Sequence, residues 1–119
     1  MKALSIRQPY VHLIMEGLKT DEFRSWSTDY RGPLLIHASQ RRNDNSGLTR
    51  KQCAVIPADL ETGGFVGVVD LVGVRYTGDP NPAMAFAWKL RNPRRIRFKR
   101  ALGKLRLFEA PDSLARRVA

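Results

Sequence analysis

Cysteine and histidine are nearly missing from this chain. Cys53 is the only thiol, which excludes an internal disulfide and a cysteine-based zinc cluster and fits a reducing compartment. With only His12 and His37 beside it, no structural metal and no cofactor is expected. Acids are scarce as well: 11 Asp and Glu stand against 21 Lys and Arg, leaving a formal charge of +10. That imbalance points to a polyanionic partner, nucleic acid ahead of an anionic membrane. Long apolar runs are absent. The first ten residues, MKALSIRQPY, carry Arg7 and Pro9 where a leader peptide needs an apolar stretch, and nothing later is long enough to cross a bilayer. A cytoplasmic protein without a membrane partner is the expectation. Repeats and low-complexity segments are lacking too. At 119 residues and 43% apolar content, the chain reads as a single domain over residues 1–119 with no linker.

What is present is unusual at one place. The stretch Gly17 to Trp26, GLKTDEFRSW, sets a lysine, a glutamate, an arginine and a tryptophan on a short strand directly after a helix-ending glycine. Strands are poor in such charges, because a half-buried pleated surface favours β-branched and aromatic side chains. This strand therefore faces water or lines a site. Period-two geometry places Glu22, Arg24 and Trp26 on one face and Asp21, Phe23 and Ser25 on the other, with Lys19 at the strand's mouth.

Around it the chain alternates short strands with turns. Ala3 to Arg7 reads as a first strand, and Pro9 suits the first position of a helix over Pro9 to Glu16, whose apolar face is Tyr10, Leu13 and Ile14 and whose stop is Gly17. Leu34 to Ser39 is a buried strand leading to Arg41 and Arg42, a basic cluster suited to phosphate. Thr49 and Gln52 have capping-box spacing for a second short helix. Phe65 to Val74 is apolar on both faces and reads as a central strand interrupted by Asp70. A buried carboxylate needs a partner, and Lys19 and Arg24 are the first candidates. A strand over Ala83 to Leu90 is broken or bulged at Asn92-Pro93. From Lys89 to Arg106 there are nine basic residues and no acid, Arg94, Arg95, Arg97 and Arg100 among them. Leu105, Leu107 and Phe108 suggest a last strand, and Pro111-Asp112-Ser113 starts a short C-terminal helix. Several short strands with small helices between them predict an α+β fold in the form of a small mixed β-barrel flanked by two or three short helices, since closure removes exposed edges.

The runs SIRQPYVHLIMEGLKTDEFRSW and YRGPLLIHAS, followed in order by GFVGVVDLVG, AWKLRNPRRI and GKLRLF, resemble the signature of the ASCH family, the activating-signal-cointegrator homology domains, which are similar to PUA RNA-binding domains. The resemblance covers nearly the whole chain. It implies a PUA-like β-barrel with a cleft beside the first helix, bordered by the GLKTDEFR element, and RNA or another nucleic acid as partner. Some members of the family are enzymes, one an amidohydrolase on N4-acetylcytidine and another a ribonuclease. The amidohydrolase type is similar at Lys19 and, on the central strand, at Asp70, where it carries a glutamate. It departs at Glu22, which stands where those enzymes have a threonine nucleophile; Thr20 has a different strand phase.

Two readings of different class follow. In the first, the protein is an RNA-binding module. Arg31, Arg41, Arg42, Arg94, Arg95, Arg97 and Arg100 contact phosphates, and a cleft lined by Tyr10, Lys19, Arg24, Trp26 and Ser39 receives a base or nucleotide stacked on an aromatic ring. In the second it is a hydrolase acting on RNA or a modified nucleoside, with Lys19 stabilising a developing anion, Glu22 as general base and Asp70 as the further acid. An adaptor docking an acidic protein is a third possibility. Phe23, Phe65, Phe86 and Phe108 are expected in the core, and His37 lines the cleft or caps backbone.

Overall fold

The computed structural model describes all 119 residues. In chain order the elements are β1 (Lys2–Ile6), α1 (Tyr10–Met15), β2 (Asp21–Arg24), β3 (Gly32–Ala38), α2 (Arg50–Cys53), β4 (Gly64–Tyr76), β5 (Phe86–Arg100) and β6 (Leu107–Glu109), with 3₁₀ turns at Pro82–Met84 and Asp112–Arg116. The six strands make one mixed sheet in the order β2-β5-β4-β3-β1-β6. Only β1 and β3 run parallel; every other neighbour is antiparallel.

Strand alternation sorts the apolar residues onto two faces. Leu4, Ile6, Leu34, Ile36, Val66, Leu71, Trp88 and Leu90 pack with Val11, Ile14 and Met15 of α1 into the larger core. Ala3, Leu35, Phe65, Val68, Ile96 and Phe108 form a smaller one, closed by Leu114 of the last 3₁₀ turn. The long pair β4–β5 is bent by three register shifts. One of them lies at Asn92-Pro93, where Asn92 takes a left-handed φ of 54°. The strand bulges there and continues to Arg100, because an extra residue on one strand of a pair bends the ladder without ending it.

The sheet is consistent with a PUA-like α+β fold, but it does not close into a hydrogen-bonded barrel. The strands β2 and β6 are its two free edges. The seam is bridged by a side chain instead: Arg24 Nη2 on β2 donates to the Ser5 carbonyl of β1 at 2.9 Å. Smaller differences from the sequence reading have local causes. Pro9 is the cap residue of α1 after a cis peptide, and the helix begins at Tyr10. The last strand begins at Leu107, leaving Leu105 in solvent, and the C-terminal helix is a 3₁₀ turn. Phe65 and Phe108 are core, whereas Phe86 is half-buried against Tyr76 and Phe23 is half-buried at the sheet edge. The Thr49–Gln52 capping box is present in both its hydrogen bonds.

Candidate functional site

The seam left by the open sheet is a cleft of about 1260 Å³, bounded by β2 on one side, the Ala101–Arg106 loop on the other, and Tyr10 and Leu13 of α1. Lys19 reaches it through the way α1 ends. Gly17, at φ +74°, donates to Ile14 O at 3.0 Å and Leu18 donates to Leu13 O at 2.8 Å. This pair of bonds satisfies the last carbonyls and needs a left-handed residue that glycine adopts without a Cβ penalty. The chain then reverses, and Lys19 Nζ donates to the carbonyl of Asp21.

The floor of the cleft is an ionic triad. Glu22 Oε1 lies 3.3 Å from Lys19 Nζ, and Glu22 Oε2 accepts from Arg24 Nε at 3.1 Å and lies 3.0 Å from Arg24 Nη2. Glu22 and Arg24 share a strand face, as the period-two reading expects. Lys19 also sits 5.3 Å and 5.9 Å from the ring centroids of Phe23 and Tyr10, cation–π range for both. Two cations and one carboxylate leave one positive charge facing the cleft, with aromatic faces beside it.

His37 is buried behind this floor. Its Nε2 lies 2.7 Å from the Ala101 carbonyl and its Nδ1 lies 3.0 Å from Ser5 Oγ. A carbonyl only accepts, so Nε2 carries the proton and, in the neutral ring, Ser5 donates to Nδ1. Of the two sequence alternatives, His37 thus both lines the cleft and caps backbone. Gly103 packs on this pair so closely that a Cβ there would come within 2.7 Å of the imidazole and 3.0 Å of Ser5 Oγ.

Asp70 is elsewhere. It pairs with Arg94 at 3.0 Å and accepts from Asn92 Nδ2 at 3.3 Å, and it does not line the cleft. The expectation that Lys19 or Arg24 neutralises it is corrected: both serve Glu22. The reason is that the smaller core covers the outer face only as far as Val68, so Asp70 and the following Val72 meet solvent.

Of the other residues singled out from sequence, Tyr10 and Ser39 line the cleft. Trp26 lies outside it, packed edge-on against Trp88 at 4.8 Å between ring centroids, with Arg106 5.0 Å from its own ring centroid. Arg31 donates to the carbonyls of Thr28 and Tyr30, bracing its own turn. Arg95 donates to Glu16 at 2.8 Å, and this bond holds the Glu16 carboxyl below its ordinary range. Arg41, Arg42, Arg97 and Arg100 are exposed without ion pairs. Sequence reasoning missed Ser5, which carries the bridge to Arg24, and Gln8, which accepts from His12 N and donates to Glu61 O, each at 2.9 Å. Ser5 gives one sequence signal, a polar residue within a largely apolar first strand, whereas Gln8 lies in the turn between Arg7 and Pro9 and gives none.

Strand order, the parallel β1–β3 pair and the cleft beside α1 define a small α+β domain of PUA-like form. The ASCH domain profile matches residues 4–98, and the chain belongs to the ASCH domain family. It is 32% identical over 78 residues to activating signal cointegrator 1 of Homo sapiens and 33% identical over 78 residues to the protein of the same name from Mus musculus. Each match covers 58% of this chain and 13% of the relative, so the chain spans a small part of the length of those proteins. No helix is long and apolar enough to cross a membrane.

Proposed function

We propose that this protein binds RNA, or another single-stranded nucleic acid, with the cleft taking a base or nucleotide and the surrounding arginines taking phosphates. The observation that carries this reading is the cleft itself: about 1260 Å³, floored by the Lys19–Glu22–Arg24 triad with its surplus positive charge, in a chain of net charge +10. Only Lys2, Lys19, Arg24, Lys89, Arg94 and Arg95 of the 21 basic residues are in ion pairs. The rest keep their charge available to an anionic chain. Lys19 fits the Watson–Crick or phosphate oxygens of a nucleotide, and Tyr10 and Phe23 offer ring faces for its base. The hydrolytic alternative draws less support, since Asp70 lies away from Lys19 and Glu22.

The test is single-stranded RNA binding as a function of salt. With six or more phosphate contacts, affinity falls by ~10³ or more between low and moderate ionic strength. The double substitution Arg97→Ala/Arg100→Ala lowers the log–log salt slope by roughly two if each arginine neutralises one phosphate. A flat salt response in the native protein sinks the reading. Turnover of RNA or N4-acetylcytidine, abolished by Lys19→Ala, would move it to the hydrolase class.

A further inference from the structure

The Ala101–Arg106 loop, which walls the cleft opposite β2, leaves two leucines almost wholly in water: Leu102 is 87% exposed and Leu105 93%. Its backbone is nevertheless tied down. Ala101 N–H donates to Gly63 O at 3.1 Å, and the Ala101 carbonyl accepts from His37 at 2.7 Å. Gly103 rests against His37 and Ser5. Arg106, left-handed at φ 58°, sets its guanidinium 5.0 Å from the centre of the Trp26 ring. The loop is thus anchored at its start, its middle and its end, and the leucines project on either side of the middle anchor. Scattered exposed leucines are ordinary. Two of them on a fixed loop, at the mouth of a cleft, make an apolar tip waiting for a cover.

The charge of the loop selects the cover. Lys104 lies between the leucines, Arg106 follows them, and the loop contains no acid. Alternating cations and apolar tips match a strand of phosphates and base faces. Apolar side chains are also known to enter base steps as wedges that unstack them. An anionic membrane would satisfy the leucines and Lys104 but would leave the cleft without an occupant.

We infer that the Ala101–Arg106 loop is a wedge. Leu102 and Leu105 press into the base stack of a bound strand, and the nucleotide they unstack is the one the cleft receives. The inference rests on the nucleic-acid reading above and adds the state in which the ligand is taken: a base turned out of its stack rather than a free nucleoside.

The experiment uses the full chain and an RNA oligonucleotide containing 2-aminopurine, which fluoresces more strongly when unstacked. The native protein raises the fluorescence. The variant Leu102→Ser/Leu105→Ser, altered only at solvent-exposed positions and checked by its thermal melt, loses that rise and binds roughly tenfold more weakly. Its salt slope stays unchanged, because no phosphate contact has been removed. Salt-dependent binding with no fluorescence rise, or a rise that survives in the variant, overturns the wedge and leaves the binding reading standing. No binding of RNA at all overturns both. Binding to phosphatidylserine vesicles that the variant loses, with no fluorescence change on RNA, overturns the wedge by assigning the leucines to a membrane surface.

Discussion

Glu22 and Asp70 are both strand carboxylates in a chain with few acids, and both form an ion pair with an arginine at 3.0 Å. Their surroundings separate them. The Glu22 side chain is 11% exposed and its partners Lys19 and Arg24 are largely covered too, whereas Asp70 is 31% exposed and Arg94 more so. At Glu22 the three charges are each other's main solvation; removing one leaves the others with little water to replace it. At Asp70 water and salt stand ready to substitute for either partner. Equal distances therefore conceal unequal consequences. The cleft floor is a fixed network, and the outer-face pair is an ordinary surface contact.

The most damaging way to break this contrast is Glu22→Ala. It leaves Lys19 and Arg24 facing each other in a partly buried site, and we expect about 3 kcal/mol of lost stability, read as a lower urea midpoint with unchanged slope. A loss near that of a surface substitution would show that water floods the floor. Arg24→Ala comes next. It removes the seam bridge to the Ser5 carbonyl but leaves Glu22 paired with Lys19, so about 2 kcal/mol is expected. Arg24→Lys should recover only part of this, since one ammonium lacks the planar fork that serves Glu22 and Ser5 together. Full recovery by lysine would mean that charge alone holds the seam.

Much of this arrangement was legible in local sequence. Tyr10, Leu13 and Ile14 at helical spacing, Gly17 as the stop, the Thr49–Gln52 capping box and the shared phase of Glu22 and Arg24 are all decided by neighbours within a few residues. The partner of Asp70 is not decided by local pattern: it is Arg94, with Asn92 beside it, and not Lys19 or Arg24. An apolar run shows that both strand faces can be buried; where the cover ends depends on Leu114, more than forty positions away. The same holds for closure. Short strands favour a barrel, yet the Arg24 side chain takes the place that backbone pairing would fill at the seam. From sequence the Ala101–Arg106 loop reads only as the end of the basic run from Lys89 to Arg106, because its anchors, His37 and Trp26, lie far away along the chain.

The smallest expected effect sharpens the comparison most. In a double-mutant cycle with Asp70→Asn and Arg94→Ala, the coupling energy should be below about 1 kcal/mol and should shrink further at high salt. Asn92 remains able to bond the replacement amide, so Asp70→Asn alone should hardly move the melting temperature. The matching cycle for Glu22 and Arg24 should give a coupling larger by roughly 1–2 kcal/mol and much less salt-sensitive. Equal couplings would mean that burial does not distinguish the two sites, and the cleft floor would lose its claim to be a preset electrostatic surface. A large coupling at Asp70 alone would instead transfer that claim to the outer face of β4 and β5, where Arg94 and Asn92 gather around it.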